Sequence, residues 1–530
     1  MEQAGKLQLL FIILYFSVIP NVFTQTRQDW INWAQDELKD SLKITPNVKV
    51  AKNVILFLGD GLGLSTVTAA RIYRSQLEKK IREGAATLAF ETFPHVALSK
   101  TYNANRQTTD SAAAATAYLC GVKANAGTVG VDSSVTRRDC ATQNKSTYVD
   151  SILKWSQNEG KSTGIITTAR LSHASPAASY AHSAARAWEG DVNTKDIEGD
   201  CKDISLQLFE DNPDINVLLG GGRRTLLPNN ETDPQTNVID SKQRLDGRNL
   251  IKEWEENKAA RGKSHKYVWN KGQFDTVDPQ TTDYLLGVFS TSHMSYELDR
   301  DNSSTGQPSI AEMTRKAIQI LKKNDDGFFL FVEGARIDHA HHETKAKKAL
   351  HDTLAFDDAV KAAVEETSDD DTLIIVTADH SHVFNIAGYP AIGNDILGLV
   401  DPMDRDDVPI DKMPYTTLLY GNGPNYPRNN LTGVDTKDKE YQQPAAVPAV
   451  EETHSAQDVA IFARGPMSHL FHGVHEQTYI AHVMAYASCV GINKEHCSKT
   501  YYPECTQASN TLTINLFLFY LSITFIYFIR

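Results

Sequence analysis

The sequence predicts an α/β protein, doubly wound, with a mostly parallel central sheet and helices on both faces. Five uninterrupted apolar runs recur along it: NVILFLG (residues 53–59), STGIITTA (162–169), INVLLGGG (215–222), GFFLFVEG (327–334) and TLIIVTADH (372–380). A continuous apolar run closed by Gly or Asp is the pattern of a strand buried on both faces, as in a parallel sheet covered by helices. Helical patterns fill the intervals, and strands alternating with helices imply parallel crossovers. In such a sheet ligands bind beyond the carboxyl ends of the strands.

The 530 residues are 41% hydrophobic and 22% charged, which suits one large or two ordinary globular domains. The formal net charge is −13. No basic cluster offsets it, which argues against nucleic acid as a partner, because phosphate backbones are bound through Lys and Arg. Positive charge for any anionic ligand must then come from elsewhere, and a metal cluster would supply it.

Both ends read as processing signals. Lys6 precedes an apolar run (residues 7–19), then Val22, Phe23 and Thr24, so residues 1–24 resemble a secretory signal cleaved near Thr24. The chain finishes LTINLFLFYLSITFIYFIR, preceded by Ala508, Ser509 and Asn510. Residues 506–530 read as a GPI-attachment signal that is removed, with lipid joined at a small residue such as Ser509, which would place the protein on the extracellular face of the plasma membrane. A single spanning helix is the competing reading. Six cysteines and Asn-x-Ser/Thr sequons at Asn144, Asn230, Asn302 and Asn430 agree with export. The expected disulfides are Cys140–Cys201 and Cys489–Cys497, leaving Cys120 reduced and buried and Cys505 without an obvious partner, although other connectivities are open. Near the N-terminus, Trp30, Trp33, Leu38 and Leu42 form an amphipathic helical pattern that must pack on something.

The stretch TTDSAAAATAYLCG (108–121) opens an alanine run with Asp110 and Ser111. Alanine favours helix, and Asp or Ser before it reads as a cap, so Ser111 stands at a helix start. Unpaired N–H groups and the positive end of the helix dipole would favour an anion there. A buried capped helix would explain this stretch by itself, but the strand ends add more. Asp60 follows the first run, Glu333 closes the fourth, and Asp379 with His380 closes the fifth. LSHASPAASYAHSAAR, after the second, offers His173, Ser175 and Arg186. Several carboxylates at one rim would repel one another unless cations held them. Asp338 and His342 lie four residues apart, on one helix face, as two ligands of one metal should. His339 and His341 fall elsewhere and read as surface histidines. His382 is a third imidazole or a partner behind the ligands. His454, before another apolar run, supplies the ligand that Asp338 and His342 lack.

Six segments together, LFLGDGLG, TTDSAAAATAYLCGVKAN, SHASPAASYAH, FVEGARIDHAHH, TADHSHVF and EETHSAQDVAIFARGP, resemble the animal alkaline phosphatases, in order from about residue 30 to 497. The resemblance implies an alkaline-phosphatase-like catalytic domain in two parts (25–387 and 453–505) around a crown-like insertion (388–452). It implies a homodimer in which the N-terminal helix reaches the partner subunit. It also implies hydrolysis of a broad range of phosphomonoesters at alkaline pH, through a phosphoserine on Ser111, releasing phosphate and an alcohol. Two Zn²⁺ and one Mg²⁺ per chain would serve that site. By the same resemblance Asp338, His342 and His454 would bind one zinc, with His382 close by. Asp60, Asp379, His380 and Ser111 would bind the other. Magnesium would take Asp60, Ser175 and Glu333, with His173 acting through water, and Arg186 would clamp two phosphate oxygens. Vertebrate members have a further calcium site within the region matching 230–305. Here Gln235, Ser290 and Thr305 stand where its carboxylates would be, so calcium is left out. The related sulfatases are disfavoured by DSAAA in place of a Cys-x-Pro-x-Arg segment, and the nucleotide phosphodiesterases by serine in place of threonine. A surface receptor that had lost the chemistry should show a gap among the ligands, and there is none.

Overall fold

A computed structural model describes residues 26–79, 86–401 and 408–497. The signal segment, Cys505, and the lipid-attachment signal with Ser509 lie outside these residues. Two units divide the chain, Met1–Gly491 and Ile492–Arg530; the described residues of the second form turns, and the architecture below is that of the first.

In chain order the strands are β1 (Asn53–Gly59), β2 (His95–Lys100), β3 (Ser162–Arg170), β4 (Val217–Gly221), β5 (His265–Val268), β6 (Tyr284–Val288), β7 (Phe328–Gly334) and β8 (Thr372–Ala378). After these come β9 (Ser381–His382), β10 (Phe384–Ile386), β11 (Leu418–Gly423), β12 (Ala445–Pro448), β13 (His454–Ser455), β14 (Val459–Arg464) and β15 (Gly473–Glu476). One ten-stranded sheet has the order β15-β2-β14-β8-β1-β7-β3-β4-β6-β5. Only β14 runs against its neighbours, pairing antiparallel with β2 and β8. All five apolar runs are strands of this sheet, and β1, β7 and β8 are buried along their whole length.

Alternation within those strands feeds two cores. Val54, Leu56, Leu58, Phe329, Phe331, Leu373 and Ile375 pack with Tyr118, Ile480 and Met484 from the helices Ser111–Cys120 and Tyr479–Ser488. Ile55, Phe57, Leu330, Val332, Ile374 and Val376 pack with Met313, Ile318, Leu350 and Phe356 from the helices Ile310–Leu321 and Ala346–Glu366. Each such side chain removed from water contributes about 1.5–3 kcal/mol. Parallel register then aligns the strand ends: Leu58 lies beside Glu333, and Gly59 beside both Gly334 and Ala378. Asp60, Glu333 and Asp379 consequently reach one rim.

The segment 388–452 contributes β11 and β12 to a small sheet with β10. Beyond it, β13 pairs antiparallel with β9 and sets His454 opposite His382. The helix Arg27–Ser41 forms with a capping box between Thr26 and Asp29, but none of its residues is buried. Trp30 and Trp33, with ring centroids 5.3 Å apart, are both exposed. Cys140 and Cys201 are joined, Cys489 and Cys497 are each disulfide-bonded, and Cys120 is a buried free thiol. Asn144, Asn230, Asn302 and Asn430 are all exposed. Among the described residues no helix is long and apolar enough to cross a membrane.

Candidate active site

Ser111 is the first residue of a wholly buried helix that Asp110 caps, its carboxylate accepting from the Ala112 N–H at 3.3 Å. The small alanine side chains let this helix lie close on the sheet, and Gly121, at φ 75°, ends it in the left-handed region. Ser111 Oγ is 3.3 Å from His380 Nε2. Arg186 Nη1 donates to Asp110 Oδ2 at 3.0 Å, and its Nη2 donates to His173 Nε2 at 3.4 Å. Ser111 and the Arg186 guanidinium thus share one anchoring carboxylate.

Behind Ser111 lies a cluster of oxygens that lack donors. Asp60 is 0% exposed, and neither of its carboxylate oxygens has a hydrogen-bond partner. Glu333 Oε1, Ser175 Oγ and Asp379 Oδ2 are likewise buried and unpartnered. Such atoms normally find partners, so a group here is expected to meet a cation. His380 Nε2 is 3.1 Å from Asp379 Oδ2 and 3.5 Å from Asp60 Oδ1. Burial, then the charges of Asp338, Asp379 and Glu333, push Asp60 well above the usual carboxylate range. Burial likewise raises Glu333 to about 7. Two acids so raised, beside Asp379, fit positive charge placed among them.

A second cluster surrounds Asp338. Its Oδ1 lies 3.2 Å from His342 Nε2, 3.3 Å from His454 Nε2 and 3.0 Å from His382 Nε2. His342 Nδ1 donates to the Glu452 carbonyl at 2.5 Å, and His454 Nδ1 to the Thr109 carbonyl at 2.9 Å. Carbonyls only accept, so in the neutral rings each Nδ1 carries the proton and each Nε2 is a bare lone pair. Those two Nε2 atoms stand 3.1 Å apart. Lone pairs face one another at that distance when a metal ion belongs between them, and imidazoles with a carboxylate suit zinc. An open cleft of about 620 Å³, lined by Thr108, Thr109, His342, Val450, Glu451 and His454, gives access.

The structure brings Ser111, Asp60, Asp379 and His380 together on one side, and Asp338, His342, His382 and His454 on the other. It corrects the reading of His341 as a surface histidine. That ring is fully buried between Thr66 Oγ1 at 3.0 Å and Tyr420 Oη at 2.8 Å. His339 is half-buried, accepts from Arg336 Nη1 at 3.0 Å, and packs against His173 and His293. Sequence reasoning missed Glu452, whose Oε2 accepts from His382 Nδ1 at 2.5 Å. The only signal was its place two residues before His454.

The sequence model described as alkaline phosphatase matches residues 51–490. The chain belongs to the alkaline phosphatase family. It is 51% identical to the tissue-nonspecific alkaline phosphatase isozyme of Gallus gallus over 487 residues, 90% of this chain and 92% of that protein. With the corresponding isozyme of Homo sapiens the identity is 49% over 506 residues, 94% of this chain and 95% of the relative. The solved alkaline phosphatase of the Antarctic bacterium TAB5 shares the fold, with TM-score 0.57 at 24% identity, over 84% of this chain and 99% of that one. As an alkaline phosphatase this protein is a metal-dependent phosphomonoester hydrolase with a serine intermediate.

Proposed function

We propose that Ser111 is the nucleophile, and that two zinc ions and one magnesium ion per chain complete the site. The observation that carries this reading is the pair of Nε2 atoms of His342 and His454, 3.1 Å apart with each Nδ1 held by a carbonyl, beside donor-free Asp60. One zinc would be held by Asp338, His342 and His454, and the other by Asp60, Asp379, His380 and Ser111. Magnesium would be held by Asp60, Ser175 and Glu333, with His173 nearby. Bound there, the ions would supply Lewis acidity that favours serine alkoxide and offsets charge on the reacting phosphoryl group.

The chain's own groups account for the rest. The Ser111 hydroxyl releases its proton to solvent, Oγ attacks phosphorus as the bond to the alcohol oxygen breaks, and the departing oxygen takes up a proton from water to leave as the alcohol. Arg186, fixed by Asp110, offers a planar fork to two non-bridging oxygens, and the helix start at Ser111 adds its positive end. Water then attacks phosphorus, the Ser111–phosphorus bond breaks, and phosphate leaves. Two inversions give net retention. Because recognition falls on the phosphoryl group and the cleft is open, the range of alcohols is broad.

We further propose a homodimer that covers the exposed Trp30 and Trp33 face of the N-terminal helix, glycans at the four exposed sequons, and a GPI anchor on the extracellular face of the plasma membrane. The test of the site is metal content with 4-nitrophenyl phosphate turnover at alkaline pH, before and after chelation and after restoring zinc and magnesium. Activity lost and regained, with about two zinc and one magnesium per chain, supports the reading. Turnover that survives complete metal removal overturns it.

A further inference from the structure

Glu452 is 1% exposed, and its ion-pair partners among the described residues are both histidines, His342 and His382. A buried carboxylate with no Lys or Arg beside it is costly unless its oxygens are fully used. Here they are. Oε2 accepts from His382 Nδ1 at 2.5 Å, and Oε1 accepts from the Val383 N–H at 2.8 Å. The main chain of the same residue holds His342 twice, its N–H donating to the His342 carbonyl at 2.9 Å and its carbonyl accepting from His342 Nδ1 at 2.5 Å. His382 passes the contact on, because its other ring nitrogen is 3.0 Å from Asp338 Oδ1. Two residues further along the chain comes His454, set opposite His382 by the β13–β9 pairing.

Glu452 is therefore the meeting point of three segments that each bring something to one site: the helix Arg336–His342, the loop after β8, and the segment leading into β13. Both of its carboxylate oxygens are committed, to His382 and to Val383. We propose that Glu452 is the positioning residue of the metal site formed by Asp338, His342 and His454. Its carbonyl fixes the tautomer and ring plane of His342, and its carboxylate, through His382, fixes Asp338. This rests on the assignment of a zinc ion to those three ligands. Partners of this kind behind a ligand change metal affinity by about 10–100-fold when removed.

The test uses the full-length enzyme and Glu452→Gln, which keeps size and shape but replaces the charged acceptor facing His382. Zinc and magnesium per chain are measured at equilibrium against a chelator series, and the unfolding midpoint is measured on the metal-free proteins. The expected result is that Glu452→Gln gives up one of two zinc equivalents at about 10–100-fold lower chelator strength. The other zinc, the magnesium and the metal-free midpoint should stay as in the wild type. Glu452→Asp, which restores the charge, should recover part of the loss. The double variant Glu452→Gln/His382→Asn should lose no more than the worse single variant, since both break one chain of contacts. Wild-type retention of both zinc ions by Glu452→Gln overturns the proposal. So does a uniform weakening of all three metals with a lowered metal-free midpoint, which would make Glu452 a packing residue only. If the wild type itself holds fewer than two zinc ions, the site assignment fails first and this inference goes with it.

Discussion

Asp110 ties Arg186 to the segment of Ser111: the carboxylate oxygen that accepts from Arg186 Nη1 at 3.0 Å also accepts from the Ala112 N–H at 3.3 Å, at the start of the helix that carries Ser111. Asp110 Oδ1 is held in turn by the Gly127 N–H at 2.8 Å. Asp110→Asn keeps a good helix cap but removes the charge that aims the guanidinium. A hydrogen bond to a charged group contributes about 1.5–3 kcal/mol, so kcat/KM for 4-nitrophenyl phosphate should fall about 10–100-fold and inhibition by phosphate should weaken. Unchanged phosphate inhibition would mean that Arg186 is placed by other contacts.

Ser111→Ala should abolish the covalent intermediate. Incubation with labelled phosphate followed by acid quenching should leave label on the wild type and none on the variant. Label on Ser111→Ala protein would move the nucleophile elsewhere.

In the metal-free protein Glu333 and Asp60 contribute stability that falls as pH rises. Glu333 sits at about 7 against an ordinary 4.5, through burial first, and Asp60 is raised well above the usual carboxylate range through burial and its acidic neighbours. A carboxyl whose folded pKa exceeds its unfolded value binds more protons when folded. Its contribution is full below the unfolded pKa and disappears as pH passes the folded one. Buried histidines held below their ordinary value, such as His341 and His454, act in the opposite direction at the acid end of this range. The test is therefore a difference between two proteins: between about pH 5 and about pH 8 the metal-free unfolding midpoint of the wild type should fall relative to that of Glu333→Gln. The difference should be smaller with metal bound, because cations replace the protons. A difference that stays constant over this interval would contradict the assignment.

Gly61→Ala should disable the site. Gly61 has φ +70°, and a Cβ there would come 2.3 Å from His382 Nε2, a ring that Glu452 prevents from moving aside. Gly473→Ala is the control, with φ +78° and open space around the added carbon. Both should carry a backbone cost of about 1–3 kcal/mol, but only Gly61→Ala should also lose zinc. Equal metal content in the two variants would show that His382 can yield.

The central strands were legible because both of their faces are covered, so VILFLG in β1 and FFLFV in β7 run without a polar side chain. Carboxylates at their ends were legible for the same reason, since Asp60 and Glu333 stand at the carboxyl ends of otherwise apolar runs. The edge strands were harder. In β2 and β15 much of the surface stays half-buried or exposed, and HVALSK and GVHE show no clear period. Glu452 looked like one more acid in EETH, because its meaning depends on His382, seventy positions earlier in the chain. His341 resembled its neighbours in the run HAHH; only Thr66 and Tyr420, from distant segments, make it an interior residue. Histidine's two ring nitrogens can be satisfied by contacts that no local pattern announces.

The placing of His454 beside His382 has a consequence for biosynthesis. Asp60 leaves the ribosome early, yet the partner that closes the other half of the site is encoded almost four hundred codons later. At about 5–20 residues per second, this is a delay of roughly 20–80 s. During that interval the nascent polypeptide exposes aspartates and histidines without the geometry to retain an ion. With His454 as a zinc ligand, as proposed, metal capture would wait for the end of translation, and a prematurely terminated product lacking β13 would be unable to hydrolyse phosphate esters inside the cell that makes it.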